Sequence, residues 1–373
     1  MRTTWRRSIA AVIAVVMALT TGCGPQLSKE QQQSSQQGIP SNQGQEANRQ
    51  KSEILNGKTS EISSNGGTIR IQETGSSELN IPIVTVNGKK YVIGPDFANM
   101  VGFNANWDEQ RKVFQLGDHD AAYELKMDSL TALKDEESVT LPESPVLHNA
   151  QVHIPVSAVN SLFPEDISCE VRGDTLVIHA TDTPVSEAID GPEEANTGSE
   201  LDFGDDPADP FKGDEGTDTE TSAMASPLLW EEENVIPVLK NINMNALISR
   251  GKRYLGVDYM FGATPYQRSG RFDCSSFTKY VFGVYGVKLN RTARAQATQG
   301  VAVSRKNLRK GDLMFFYVPG RFKTNRTVGH VGIYMGNQRM LHSSPKPQNG
   351  VQITNINKAY WKRTYLRSRR VAY

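Results

Sequence analysis

The sequence predicts an α+β protein in which two folded domains are joined by a segment of different composition. Short β-prone runs divided by turn residues fill the region from Ile81 to about Ala180. Beyond residue 240, two apolar stripes at helical spacing precede a second set of strand-like runs. We therefore expect a small α+β repeat domain at 80–181 and a second domain at 236–373, in which helices precede an antiparallel sheet.

Residues 1–22 have the pattern of an export signal, with three arginines among the first seven residues and an apolar run from Ile9 to Leu19. That run is too short to span a bilayer alone. It is followed by small residues and Cys23, which resembles the lipobox of bacterial lipoproteins, although Thr20 stands where an aliphatic residue is usual. The resemblance implies that Cys23 is lipidated and that the exported protein is anchored to the outer face of the cytoplasmic membrane. An ordinary cleaved signal is the alternative.

Two segments have compositions that do not favour a packed core. Residues 23–79 are rich in Gln, Ser, Asn and Gly and have few aromatics, so we expect a disordered tether. Residues 182–235 are expected to form an acidic, self-repelling, disordered linker, because 182–233 contain 17 acidic residues and a single lysine. A substrate mimic or inhibitory strap that docks on the basic C-terminal domain is the alternative.

The balanced total of 41 basic and 41 acidic residues hides a strongly basic C-terminal domain. Residues 234–373 contain 25 basic and three acidic residues. Such a surface is expected to attract anionic polymers or lipid head groups, although solvated surface charge explains part of the excess. Nucleic acid is not an expected partner, because an exported, membrane-anchored protein seldom meets it.

The upstream region carries a weak internal repeat. The residues around Asn87 and Tyr91 recur 62 positions later around Asn149 and His153, and each copy leads into a helix-like stretch. This pattern, with Trp107 after the first helix, resembles the copper amine oxidase N-terminal-like domain. The resemblance implies no metal, and the histidines of the region show no ligand spacing typical of a metal site: His119, His148, His153 and His179.

Besides Cys23, the sequence contains two cysteines, Cys169 and Cys274. Cys169 occurs in an alternating run and is expected to be a small buried hydrophobe. A bridge between the two is not expected, because the acidic linker separates their domains.

Cys274 begins a predicted helix whose apolar stripe includes Phe277 and Val281. Unpaired backbone N–H groups and the helix dipole favour a thiolate at that position, so we expect a lowered thiol pKa. The same N–H groups are suited to stabilising an oxyanion. These features favour a nucleophilic role for Cys274.

Two histidines are placed to serve such a nucleophile. The run from His330 to Tyr334 is strand-like, turns at Gly336 and Asn337, and is followed by a second run that reaches His342. A hairpin about this turn would return His342 to His330. His330 would then act as the base and His342 would orient it, the general nucleophile, base and orienter arrangement.

Over about Met244 to Tyr373 the sequence resembles the NlpC/P60 family of cell-wall peptidases, a circularly permuted relative of the papain-like fold. The matching motifs occur in order: Tyr259, Phe261 and Gly262; Phe272 to Ser275; Arg291, Thr292 and Gln296; Gly311 to Leu313, Phe315 and Phe316; His330 to Tyr334, Gly336 and Asn337; and His342.

The resemblance implies an endopeptidase that hydrolyses the γ-D-glutamyl to diamino acid bond of peptidoglycan stem peptides, with Cys274, His330 and His342 as its triad. It also implies that Tyr259, Asp273 and Ser275 line the pocket for the free amino end of the stem peptide. No metal or organic cofactor is expected. The basic surface would then meet anionic wall polymers, and the upstream domain would act as a spacer or contact the wall.

Three features depart from the family pattern, and the last of them, a longer loop, is expected to alter the substrate entry site. Ala263 replaces a second Gly, Ser276 replaces the Gly that usually follows Cys and Ser, and the interval from Tyr259 to Cys274 is about three residues longer than usual. Asp273 is expected to cap the helix as well as to line the pocket. A catalytically weak wall-binding or adaptor lipoprotein, and an amidase or acyltransferase with the same Cys and His chemistry, are the alternatives.

Overall fold

The structure is a computed structural model that describes residues 62–64, 67–69, 77–181, 202–212 and 240–373. The predicted signal and Cys23 lie outside these residues. Strands β1 (Ile62–Ser64) and β2 (Gly67–Ile69) pair antiparallel within a unit that ends at Thr74, and the chain from Gly75 onward forms a second compact unit. Within the described ranges, no helix is both long and apolar enough to cross a membrane.

The upstream domain consists of three antiparallel sheets and two short helices around one apolar core. Its largest sheet is a five-stranded meander of β6 (Asn104–Asp108), β7 (Val113–Gly117), β8 (Tyr123–Lys126), β9 (Thr131–Lys134) and β10 (Glu137–Thr140). The remaining elements are β3 (Glu78–Pro82), β4 (Val84–Val86), β5 (Lys89–Ile93), α1 (Gly94–Val101), β11 (Val146–His148), β12 (Gln151–Pro155), α2 (Val156–Leu162), β13 (Ser168–Arg172) and β14 (Thr175–His179). They form sheets of strand order β11-β12-β5-β4 and β13-β14-β3.

The two copies of the predicted repeat pair with each other. Strands β5 and β12 are antiparallel neighbours, with Val92 opposite Ile154, and each runs directly into its helix, α1 or α2. Both residues are completely buried. The repeat therefore reflects two strand–helix units that share one core.

In the C-terminal domain four helices precede an antiparallel sheet, as predicted, and a fifth helix lies between the last two strands of the chain. Its helices are α3 (Met244–Lys252), α4 (Tyr266–Ser269), α5 (Cys274–Gly283), α6 (Ala293–Gln296) and α7 (Ala359–Thr364). Its strands are β15 (Val301–Val303), β16 (Leu313–Phe316), β17 (His330–Tyr334), β18 (Arg339–Ser344), β19 (Gly350–Asn355) and β20 (Tyr365–Arg370), in the order β15-β20-β16-β17-β18-β19.

Helix α5 packs across β17 and β18, and this contact positions the candidate nucleophile against the predicted hairpin. The packing depends on the apolar stripe of α5, since Phe277, Val281 and Phe282 are fully buried in one core with Val331 and Leu341 of the hairpin.

Part of the acidic segment docks on the C-terminal domain, where an extended linker was expected. Phe203 is buried in a cluster with Phe316 and Trp361, and Asp206 accepts a hydrogen bond of 2.7 Å from Arg309. The Asp205 carboxylate accepts a bond of 2.6 Å from the hydroxyl of Tyr334. An aromatic anchor flanked by ion pairs therefore holds residues 202–212 against the C-terminal domain.

Cys169 differs from the expected buried residue. It lies on β13, is partly exposed, and its thiol donates a hydrogen bond of 2.9 Å to the Asn160 side chain. Its side chain only borders the upstream core.

Candidate active site

Asp273 organises the start of helix α5. Its carboxylate accepts a hydrogen bond of 2.8 Å from the backbone N–H of Ser276, and the Ser276 hydroxyl accepts one of 2.9 Å from the Asp273 N–H, so the two residues form a capping box. The same buried carboxylate forms a bidentate pair with Arg291 and accepts a bond of 3.0 Å from the Ala263 N–H. The predicted capping role of Asp273 is thus confirmed.

The hairpin of β17 and β18 brings the two predicted histidines together. His330 Nε2 lies 2.8 Å from His342 Nδ1, and His342 Nε2 lies 2.8 Å from the hydroxyl of Thr354 on β19. Both rings are buried. When His342 donates to Thr354 and His330 donates to His342, the other ring nitrogen of His330, Nδ1, is left as a proton acceptor.

A third histidine, His119 of the upstream domain, reaches this acceptor. Its Nδ1 lies 2.8 Å from His330 Nδ1, and its backbone carbonyl accepts hydrogen bonds from the Cys274 thiol at 3.4 Å and from the Tyr259 hydroxyl at 3.2 Å. His119 lies in the connection from β7 to β8, residues Asp118–Ala122, called the 118–122 loop below. The sequence showed His119 only as a histidine without a metal-site pattern.

Asp120 of the same loop enters the pocket formed by the predicted substrate-binding residues. Its carboxylate accepts a hydrogen bond of 2.6 Å from the Ala293 N–H and a further bond from Ser275, close to Asp273 and Arg291. Burial and the nearby Asp273 carboxylate raise the pKa of Asp120 to about 7. The described structure therefore brings Tyr259, Asp273 and Ser275 to one region, which the 118–122 loop already contacts.

The charge state of Cys274 differs from the expectation drawn from its helix position. Burial, together with the carboxylates of Asp120 and Asp273, raises the pKa of the thiol well above its usual value, and the hydrogen bond from Val331 only partly opposes this. Burial and the neighbouring histidines hold the pKa of His330 well below its usual value. The expectation of a lowered thiol pKa is wrong for this conformation, because the domain contact removes water and adds a carboxylate.

The described residues contain no group of three or more His, Cys, Asp and Glu side chains arranged to hold a metal ion. The histidines nearest to the thiol, His119, His330 and His342, are instead joined to one another by hydrogen bonds.

Removing the Asp273 carboxylate is expected to destabilise the domain far more than removing its capping partner. Asp273→Ala leaves Arg291 without its buried partner, a change of about 3–5 kcal/mol in the free energy of unfolding. Ser276→Ala removes one hydroxyl from the capping box, about 1 kcal/mol. Urea unfolding followed by circular dichroism compares the two variants with the wild type, and equal midpoints for both would contradict this account of the network.

Acidification is expected to destabilise the folded chain through its buried histidines. Burial lowers the pKa of His342 to about 3, below the ordinary value of 6.5. The contribution of neutral His342 to the free energy of unfolding is therefore complete above pH 6.5 and is lost as the pH falls towards 3. A depression of this size corresponds to about 5 kcal/mol by linkage. Thermal unfolding between pH 8 and pH 3.5 measures the loss, and His342→Asn should flatten the slope. An identical slope in His342→Asn and in the wild type would exclude His342 as its source.

Comparison with known proteins supports the family resemblance predicted for each of the two domains. Residues 256–370 match the model of the NlpC/P60 family, and residues 56–178 match the model described as the copper amine oxidase N-terminal domain. The chain is 35% identical over 143 residues to the "Murein DD-endopeptidase MepS/Murein LD-carboxypeptidase" of Escherichia coli (strain K12). The matched region covers 38% of this chain and 69% of that protein.

Other relatives match over smaller shares of their length. The "Probable endopeptidase NlpC homolog" of Haemophilus influenzae is 36% identical over 34% of this chain and 62% of its own. The "Gamma-D-glutamyl-L-lysine dipeptidyl-peptidase" of Bacillus cereus is 36% identical over 33% of this chain and 35% of its own. A crystal structure of an NlpC/P60 family protein from Bacillus cereus is 32% identical, with a TM-score of 0.32 over 36% of this chain and 42% of that one.

The chain thus spans less than two thirds of several relatives but more than two thirds of the Escherichia coli protein. The match lies in the C-terminal domain that carries Cys274, His330 and His342. On this similarity, the chain belongs to the NlpC/P60 family.

Proposed function

We propose that the chain is a cysteine peptidase that hydrolyses the γ-D-glutamyl to diamino acid bond of peptidoglycan stem peptides. The observation that carries this proposal is the arrangement of a thiol at the start of α5 facing a hairpin whose two histidines are hydrogen bonded in series. The choice of bond is supported by the Bacillus cereus relative, whose name states a γ-D-glutamyl-L-lysine activity.

In the proposed reaction the Cys274 sulfur attacks the γ-carbonyl carbon, and His330 Nδ1 accepts the thiol proton. His342 and Thr354 fix the orientation of the imidazole and stabilise its protonated form. The imidazolium then donates its proton to the leaving amine, which breaks the peptide bond and leaves a thioester. Water, deprotonated by His330, releases the γ-glutamyl carboxylate and restores the thiol.

Tyr259, Asp273 and Ser275 are proposed to hold the free amino end of the stem peptide. Asp273 and Ser275 both contact Arg291, so the pocket contains a fixed guanidinium beside a carboxylate. Such a pair can receive both the amino group of a substrate and a nearby carboxylate. The longer loop before Cys274 is expected to affect which stem peptides are accepted.

We also propose that the protein works in the cell envelope, lipid-anchored through Cys23 on the outer face of the cytoplasmic membrane. The basic domain would contact anionic wall polymers there. Metabolic labelling with a fatty acid tests the anchor, since incorporation that persists in Cys23→Ala would refute lipidation at that residue.

Other bonds in the wall remain alternatives because relatives have different specificities. The Escherichia coli relative is named for DD-endopeptidase and LD-carboxypeptidase activities, and an amidase would cleave the stem from the sugar. Each reaction releases products of different mass, so digestion of a cross-linked muropeptide, which contains all of these bonds, separates them by mass spectrometry. A wall-binding protein without activity would release none.

The test uses the purified full chain under reducing conditions with a defined tripeptide stem, L-alanyl-γ-D-glutamyl-diamino acid, whose alanine amino group is free. The proposal predicts an alanyl-glutamate dipeptide and the free diamino acid by mass spectrometry, and neither from Cys274→Ala. Failure of cleavage by the wild type and by variants in which the site is opened, Asp118→Lys and Gly117→Ala, would refute the proposed activity on this substrate.

A further inference from the structure

The 118–122 loop engages both groups that the proposed chemistry requires. The thiol of Cys274 donates to the His119 carbonyl, and the His119 ring occupies the nitrogen of His330 that would otherwise accept the thiol proton. We propose that the 118–122 loop is an intramolecular inhibitor, which fills the peptidase cleft and must leave it before a stem peptide can enter. This inference gives the proposed activity its regulation and rests on that activity.

The loop also occupies the positions proposed to bind substrate. The His119 carbonyl accepts a hydrogen bond from Tyr259, and the Asp120 carboxylate bonds to Ser275. It thus presents a peptide carbonyl to the thiol and a neighbouring carboxylate to the substrate pocket, as a substrate peptide would.

With the loop in place, the reactive groups have no contact with solvent. Cys274 and His342 are 0% exposed and His330 is 1% exposed. The cavity of about 210 Å³ beside Arg291 is bounded by Ala121 and Glu136, and neither Cys274 nor His330 lines it. A stem peptide therefore cannot reach Cys274 without movement of the loop.

A buried ion pair holds the loop against the C-terminal domain. Asp118 pairs with Lys323, and their side chains are 5% and 3% exposed. The His119 N–H donates to the Gly329 carbonyl at 3.1 Å. A Cβ on Gly329 would lie within 2.8 Å of the Asp118 Cβ, so the glycine before His330 makes room for this side chain.

Further contacts between the two domains surround the loop. Arg294 of α6 forms a buried bidentate pair with Asp166, with bonds of 2.6 and 3.1 Å, and the Thr292 hydroxyl donates to Asp135 at 2.9 Å. Asp166 and Asp135, like the 118–122 loop, belong to the upstream domain. The proposed triad lies wholly in the C-terminal domain, so release of the loop leaves the triad and its hairpin intact.

Reactivity of the Cys274 thiol tests the closed state in the wild-type full chain. Native protein is treated with iodoacetamide, and alkylation of the Cys274 peptide is quantified by mass spectrometry separately from Cys23 and Cys169. We expect alkylation at least 100-fold slower than in the urea-unfolded chain. A native rate equal to the unfolded rate would overturn the proposal without any variant.

Two substitutions in the upstream domain are expected to release the loop. Asp118→Lys sets a second cation against buried Lys323, and its control, Asp174→Lys, alters a carboxylate that is 90% exposed. In Gly117→Ala the new Cβ would overlap the Asp120 carbonyl, whereas Gly173→Ala places a Cβ at a positive φ with no atom within 4 Å. Circular dichroism confirms that each variant is folded.

Both release variants should accelerate Cys274 alkylation at least tenfold and raise stem-peptide hydrolysis by a similar factor, while the controls match the wild type. Equal alkylation in all five proteins would overturn the inhibitory role, even if all of them hydrolyse the peptide. Faster alkylation without hydrolysis in any protein would support closure by the loop and would refute the proposed activity instead.

Discussion

Replacement of Cys274 by alanine is expected to reduce stem-peptide hydrolysis by about 10⁴-fold or more. The reason is that the Cys274 thiol is the nucleophile of the proposed reaction, and removal of the nucleophile from such a unit eliminates nearly all its catalysis. The rate is best measured in the Asp118→Lys background, so that access to the site does not limit it.

Cys169→Ala is the matched control, because it removes a half-buried thiol that bonds to Asn160 in the upstream domain. Its hydrolysis rate should equal that of the parent. Equal rates in Cys274→Ala and Cys169→Ala would show that hydrolysis does not use a cysteine.

Replacement of His330 by alanine is expected to reduce the same rate by about 10³-fold, within the range for loss of a general acid and base. His342→Ala should have a smaller effect, about 10- to 100-fold, because His342 acts on the substrate only through its hydrogen bond to His330. The rate at saturating substrate should fall, with little change in the Michaelis constant.

The pH profile separates these roles. The parent should lose activity as the pH falls through the pKa of His330 in the open enzyme, and His330→Ala should lack that limb, whereas His342→Ala should keep it in a shifted position. His148→Ala, on the upstream domain, is the control and should leave the profile unchanged. A full acid limb in His330→Ala would assign the base to another residue.

Local patterns were sufficient to predict the C-terminal domain. The apolar stripe of α5 and the turn at Gly336 and Asn337 are short-range signals, and they predicted both a helix that begins at Cys274 and the hairpin that joins His330 to His342. The fold follows from them because α5 has only one apolar face, which must pack on this hairpin.

The contact of His119 with the site could not be predicted in the same way. His119 lies 155 residues before Cys274, and its contact with the thiol depends on how two domains with separate cores meet. A signal was present at Gly117–Asp120, where β7, buried along its length, ends in a glycine followed by two acids around a histidine. This pattern indicates a shaped polar loop but not its partner.

The docking of the acidic segment could not be predicted from its composition either. Its charge predicted repulsion and an extended chain, whereas residues 202–212 carry Phe203, which inserts into an apolar cluster, and aspartates that pair with basic side chains. Net charge describes a segment in isolation, and here the oppositely charged domain reverses the outcome.

The most direct test of the proposed chemistry is detection of the thioester on Cys274. The Asp118→Lys chain is mixed with the tripeptide stem, quenched in acid within milliseconds to seconds, digested, and analysed by mass spectrometry. The account predicts a transient mass increase equal to an alanyl-γ-glutamyl acyl group on the Cys274 peptide, absent in Cys274→Ala. Steady hydrolysis with no adduct at any time, or an adduct on another residue, would contradict it.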